Sequence, residues 1–109
     1  MVEELAPEVL QQLIDSGAEL QIVDVRRQPG FQSGHIPGSE NVPFERMIAS
    51  IDSVSWRDRI VFVCPYGVRS RQAGELLLAY EGLAEDAEVY NLAGGLQAWD
   101  GPIAVASTE

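Results

Sequence analysis

The segment Ile60-Val61-Phe62-Val63 constrains the architecture of this chain more than any other stretch. Four consecutive apolar residues, three of them β-branched, describe a short strand covered on both faces. Such strands belong to parallel sheets with helices packed on each side, and the flanking sequence agrees. Ile22-Val23-Asp24-Val25 and the stretch Glu88 to Leu92 read as further strands. Pro7 suits a first helical position; Val9, Leu10, Leu13 and Ile14 then recur at helical spacing, and Gly17 supplies a stop. Phe44, Met47, Ile48 and Ile51 predict a second helix. Ala73, Leu76, Leu77 and Tyr80 predict a third, which Gly82 ends. Gly30, Gly34, Pro37, Gly38 and Pro43 punctuate a predicted loop, and Gly94-Gly95 breaks the last strand before a short turn from Leu96 to Trp99. The alternation of strand and helix predicts an α/β domain with a mostly parallel sheet.

A length of 109 residues suits one domain, spanning 1–109, with a single compact core. The net charge is −10, and all seven basic residues are Arg. An acidic chain repels phosphate backbones and anionic lipid, so neither nucleic acid nor a membrane is an expected partner. No apolar run is long enough to span a bilayer. Met1-Val2-Glu3-Glu4 is acidic where a signal peptide would be basic, so a cytoplasmic location is expected, and a monomer is expected for so small an acidic domain. The chain has one cysteine, Cys64, and one histidine, His35. One thiol forms no intramolecular disulfide and excludes a Cys-rich metal site; neither a metal nor a cofactor is expected.

Cys64 directly follows the strongest strand, and a helix follows it. Ligands of open parallel sheets bind beyond the carboxyl ends of the strands, where Cys64 falls. The first turn of a helix leaves backbone N–H groups unpaired, and the helix dipole adds partial positive charge there. Both favour a thiolate over a thiol, whose free pKa is about 8.5. Gly67 lets the loop curl with positive φ, so that several N–H groups converge. Arg69 and Arg71 add full charges. A buried, inert Cys ending a strand is the competing interpretation, but an apolar packing site has no use for a Pro, a Gly and two Arg within seven residues. The expected product is an anion-binding cradle with a nucleophilic sulfur at its base.

Cys64-Pro65-Tyr66-Gly67-Val68-Arg69-Ser70 resembles the active-site loop of rhodanese-type sulfurtransferases. Three other segments match that family in its order. Val23-Asp24-Val25-Arg26 resembles its Asp-x-Arg strand end, and Gly34-His35-Ile36-Pro37-Gly38-Ser39 its Gly-His-Ile-Pro-Gly-Ala motif. Leu92-Ala93-Gly94-Gly95-Leu96-Gln97-Ala98-Trp99 resembles its closing Gly-Gly-x-x-x-Trp segment. The resemblance implies a small three-layer rhodanese-like domain with a five-stranded, mostly parallel sheet flanked by helices. One departure is Gly30, which precedes Phe31 where the family often has Glu, and some local loosening is expected there.

By this resemblance, Cys64 attacks the sulfane sulfur of an anionic donor such as thiosulfate, carries it as a persulfide, and yields it to a thiol or protein acceptor (or to cyanide in assays). Pro65, Tyr66, Gly67, Val68, Arg69 and Ser70 form the substrate loop. Arg69 suits either an anion contact or a salt bridge holding the loop, with Asp24 a candidate partner. Ser70 suits a hydrogen bond to sulfur or, more safely, a helix cap. Arg71 is expected to be a solvated helix charge. Asp24 and Arg26 would tie the strand end to the loops, and His35 would organise a loop rather than act as a base. Tyr66 would expose its ring at the mouth, and Trp56 and Trp99 would pack.

Two rival functions remain open on sequence. Phosphatase or arsenate-reductase chemistry in this fold uses a longer loop, and Cys-dependent phosphatases place Arg six positions after Cys; here that position is Ser70. A persulfide carrier or regulatory binding module retaining its Cys is the other. The charge map adds one expectation: Arg57 to Arg71 contains four Arg and one acid, against three Arg and sixteen acids elsewhere, which suggests a cationic funnel around the thiol.

Overall fold

A computed structural model describes residues 1–105 of the chain. Five strands, β1 (Glu3–Leu5), β2 (Gln21–Asp24), β3 (Glu40–Asn41), β4 (Arg59–Val63) and β5 (Glu88–Leu92), form one sheet in the order β1-β5-β4-β2-β3. Every pairing is parallel. Four α-helices accompany it: α1 (Pro7–Asp15), α2 (Gln28–Ser33), α3 (Met47–Ser50) and α4 (Val68–Leu78). β4 is central, and its side chains alternate between two apolar layers. Ile60 and Phe62 pack with Val23, Met47, Ala73, Leu77 and Val89 on the α4 side. Val61 and Val63 pack with Leu10, Ile22, Ile36, Leu92 and Trp99 on the α1 side. The sheet is therefore the middle of three layers, as the continuous apolar run of β4 requires.

The period of two also aims the thiol. Cys64 continues the face of Ile60 and Phe62, so its sulfur turns toward α4 and is counted among that core layer. From β2 the chain moves outward to β3, and from β4 it moves the opposite way to β5. Loops leaving neighbouring strands thus diverge between β2 and β4, which opens a crevice at their carboxyl ends.

The predicted strands at 22–25 and 88–92 and the predicted helix at Pro7 are present, with β2 shifted by one residue. Val25 still donates to the Val63 carbonyl. Four expectations need correction. The predicted loop after β2 contains α2, whose Ser33 hydroxyl donates back to the Gly30 carbonyl. The helix expected over Phe44 to Ile51 is split into a 3-10 turn, Phe44–Arg46, and the single turn α3, and the Phe44 N–H donates to the Val25 carbonyl at the sheet. α4 ends at Leu78, before Gly82. That glycine makes room for the Tyr80 ring, which would lie 2.5 Å from a Cβ there. β1 and β3 were not expected from their composition; they are short edge strands that exist through pairing with β5 and β2.

Candidate active site

The loop from Cys64 to Ser70 runs from the end of β4 into the first turn of α4. Gly67 sits at the helix cap with φ 87°, a conformation that costs a side-chain-bearing residue strain. This turn brings two N–H donors and one hydroxyl onto one sulfur. The Gly67 N–H lies 3.0 Å from Cys64 Sγ, the Ser70 N–H 3.3 Å, and the Ser70 hydroxyl 3.1 Å. Cys64 is buried, with 2% of its surface exposed. Burial pushes its pKa up; the Ser70 hydroxyl and the backbone N–H groups of Ser70, Tyr66 and Gly67 outweigh this and leave it below the ordinary thiol value. The arrangement can hold a thiolate, or a larger anionic sulfur species, without a neighbouring cation.

Two features brace the loop from below. Gly95, with φ 70°, lies directly under it. The N–H groups of Leu96 and Gln97 then donate to the carbonyls of Cys64 and Pro65 at 2.8 and 3.1 Å. Gly94-Gly95 therefore does more than break β5: it allows the closing turn to grip the back of the loop. The second brace is Asn91, buried in β5 opposite Phe62. Its Nδ2 donates to the Gly67 carbonyl at 3.0 Å and to both carboxylate oxygens of Glu4 at 3.1 Å, while its Oδ1 accepts from the Ser70 hydroxyl at 2.5 Å. Neither Asn91 nor Glu4 was expected here. The readable signal was a polar residue on the same face of β5 as Val89.

Some of the supporting residues sort differently from expectation. Ser70 is not the helix cap; Gly67 holds that place, and the Ser70 side chain faces sulfur. Arg69 makes no bridge to Asp24. Its guanidinium lies 5.0 Å over the Phe44 ring, exposed at the edge of the loop. Asp24 is paired instead with Arg26, whose Nε lies 3.0 Å from Oδ1 and Nη2 2.8 Å from Oδ2; Nη2 also donates to the Gly34 carbonyl. That pair joins the end of β2 to the segment after α2. Gly30 faces the side chain of Arg26, with room for a Cβ at 3.7 Å. Arg71 is bonded to Glu4 rather than free in solvent. His35 stacks on Phe31 at 3.9 Å between ring centres, and its Nδ1 donates to the Phe31 carbonyl at 2.7 Å. Its backbone bridges to Ala104, so it organises the loop. Tyr66 is 70% exposed beside the thiol, and Trp99 is buried against the α1 layer.

The cationic funnel read from Arg57 to Arg71 is not formed as such. Arg57 and Arg59 lie at the amino end of β4, the opposite end from Cys64. Positive charge near the crevice comes from Arg69 together with Arg27 and Arg46, which line a surface depression of ≈ 570 Å³ with Gln28, Asn41, Pro43 and Glu45. Glu45 accepts from Arg27 at 3.0 Å. Its own backbone hydrogen bond, Arg27 and Arg69 hold its carboxyl below the usual range.

A buried thiol ringed by backbone donors at the end of the central strand defines a cysteine-centred α/β domain. The rhodanese-like domain family matches residues 6–101, and the chain belongs to that family. It is 32% identical over 97 residues to the thiosulfate sulfurtransferase GlpE of Pseudomonas aeruginosa, covering 89% of this chain and 83% of that one. It is 28% identical over 100 residues to the putative sulfur carrier protein YrkF of Bacillus subtilis, covering 92% of this chain and about half (52%) of that longer protein. Among solved structures, a rhodanese-like domain protein of Staphylococcus aureus superposes with a TM-score of 0.82 at 26% identity, covering 97% of this chain and 100% of the other. No helix among the described residues is long and apolar enough to cross a membrane.

Proposed function

We propose that this protein is a thiosulfate-type sulfurtransferase in which Cys64 is the nucleophile. The Cys64 thiolate attacks the outer sulfur of thiosulfate. A bond forms between Sγ and that sulfur, the sulfur–sulfur bond of thiosulfate breaks, and its electron pair leaves with sulfite. Cys64 then carries an anionic persulfide. A thiophilic acceptor takes the outer sulfur and returns the thiolate, which completes two-step covalent catalysis.

The observation that carries this reading is the convergence of the Gly67 and Ser70 N–H groups and the Ser70 hydroxyl on one sulfur. The two N–H donors are in place before charge moves along the sulfur chain, which is how oriented dipoles lower a barrier, and the hydroxyl lies within reach of the same sulfur. The loop closes at Ser70, six residues after Cys64, with a hydroxyl where a Cys-dependent phosphatase needs Arg; the cradle suits a sulfur better than a tetrahedral phosphate. Arg69, unpaired with any carboxylate among the described residues, is the proposed contact for the donor's sulfonate end.

Incubation with thiosulfate followed by intact-mass measurement tests the reading. Wild type gains the mass of one sulfur atom and Cys64→Ala gains none. Hydrolysis of para-nitrophenyl phosphate without sulfur uptake would overturn it. The likeness to YrkF, named a putative sulfur carrier, favours one second reading, a carrier that serves a single protein. Stable persulfide with negligible turnover toward cyanide selects that alternative.

A further inference from the structure

When Cys64 is a thiolate, the hydrogen bonds behind it contain one proton too few. Asn91 donates both amide hydrogens, to the Gly67 carbonyl and to the Glu4 carboxylate. Turning the amide over would set its oxygen against two acceptors, so Oδ1 is held facing Ser70. Ser70 has a single hydroxyl hydrogen, and both Asn91 Oδ1 and Cys64 Sγ lie within reach of it. Cys64, Ser70 and Asn91 are all buried, at 2%, 0% and 2% exposure, so the loser finds no solvent to replace the bond.

We infer that Asn91, anchored by Glu4, is a positioning residue that competes with the sulfur for the Ser70 hydroxyl. With a neutral thiol, S–H donates to Ser70 Oγ and the hydroxyl donates to Asn91, so every group is paired. With a thiolate, the hydroxyl must turn to the sulfur, and Asn91 Oδ1 is left buried without a donor. The competition holds the resting cysteine closer to the thiol than a Ser70 hydroxyl free to serve the sulfur alone would.

The second consequence rests on the proposed sulfur transfer. In the persulfide the charge resides on the outer sulfur, and Sγ becomes a weak acceptor bonded to two neighbours. The Ser70 hydroxyl then returns to Asn91. Asn91 therefore weighs against the thiolate and not against the persulfide, and so favours sulfur uptake.

Other charges surround the site and bear on any titration. Glu4 on β1 is bonded to Arg71 on α4, Asp24 and Arg26 at the end of β2 are paired, and Glu45 is paired with Arg27. Arg69 lies over Phe44, Arg46 lines the neighbouring depression, and Tyr66 is the remaining ionisable group of the loop. A cycle that includes Ser70 separates the hydroxyl's role from theirs.

The thiolate absorbance of Cys64 is followed against pH in wild type, Asn91→Leu, Ser70→Ala and the double variant. The expected result is a midpoint moved to lower pH by Asn91→Leu, moved to higher pH by Ser70→Ala, and unaffected by the Asn91 change once Ser70 is Ala. A purely structural role predicts the opposite sign for Asn91→Leu, because a loosened loop loses N–H donors. That sign, or an equal shift in the Ser70→Ala background, overturns the inference. Should Asn91→Leu not fold, the wild type itself decides: the Asn91 side-chain carbonyl carbon follows the Cys64 midpoint by NMR, and ceases to in Ser70→Ala. A carbonyl that does not move, or moves equally in both, overturns it. Sulfur uptake is read separately, at a fixed thiosulfate to sulfite ratio and at a pH above both midpoints. Asn91→Leu then holds a smaller persulfide fraction than wild type, and an unchanged or larger fraction refutes the second consequence. Wild type taking up no sulfur defeats the sulfurtransferase reading and the persulfide consequence built on it, while the thiol titration still decides the competition.

Discussion

A Cβ built on Gly95 would lie 2.4 Å from the Pro65 carbonyl oxygen, well inside any tolerated contact. The closing turn and the thiol loop are therefore fitted to each other at the backbone. Gly95→Ala must push the loop outward, carrying the Gly67 and Ser70 N–H groups with it. Misplacement of about 1 Å costs on the order of 100-fold in rate, and thiosulfate–cyanide turnover checks this. Gly38 is the control: it too has positive φ, 85°, but nothing lies within 4 Å of its added Cβ. Gly38→Ala is expected to lose about 1–2 kcal/mol of stability with turnover unchanged.

The lowered pKa of Cys64 links stability to pH. Between its folded value and the unfolded value of about 8.5, the unfolded state binds more protons, so stability rises with pH. The contribution is complete above the unfolded pKa and is lost as pH falls through the folded one. Urea midpoints measured from pH 6 to 9 are expected to climb more steeply for wild type than for Cys64→Ala. Parallel curves would contradict the pKa direction.

Two ion pairs differ sharply in worth. Asp24 is 1% exposed, so Arg26→Leu strands a carboxylate in the interior and is expected to cost about 3–5 kcal/mol. Arg27 and Glu45 are 81% and 49% exposed, and Arg27→Ala is expected to cost under about 1 kcal/mol. Chemical denaturation of the two variants side by side gives the ranking, and equal losses would refute it.

Arg69 carries the predicted contact with the donor anion. Arg69→Ala is expected to raise the KM for thiosulfate roughly tenfold, the loss of one charge-assisted hydrogen bond, with little change in the intact-mass signal at saturation. Arg71→Ala, whose partner is Glu4, is expected to leave KM within about twofold of wild type. Raising the salt concentration should weaken donor binding in wild type and much less in Arg69→Ala.

The central strand, the loop and α4 were legible because each advertises itself locally: a β-branched run, a Cys-x-x-Gly turn, a helical stripe. β1 was not, since Glu3-Glu4-Leu5 has no strand character and forms only because β5 offers an unpaired edge. Of the two roles the sequence offers Ser70, the cap is the easier to read, because a serine near a helix start commonly caps; Gly67 takes that place, and the sulfur contact is the one formed. Arg57 and Arg59 misled for a different reason. Seven and five residues before Cys64 is close in sequence, but a strand rises about 3.3 Å per residue, which carries them to the far end of the sheet. Asn91 and Glu4 are 87 residues apart and meet only through the parallel pairing of β1 with β5.

The 2% exposure of Cys64 sets how this protein meets oxidants. A disulfide needs two Cα atoms within about 7 Å, and two copies cannot bring recessed sulfurs that close without opening both loops. Air oxidation should therefore yield no covalent dimer. Small oxidants that enter the cradle act on the thiolate directly and form a sulfenic acid, with no second cysteine in the chain to resolve it. Reducing agent that preserves activity would be rescuing single molecules rather than separating pairs.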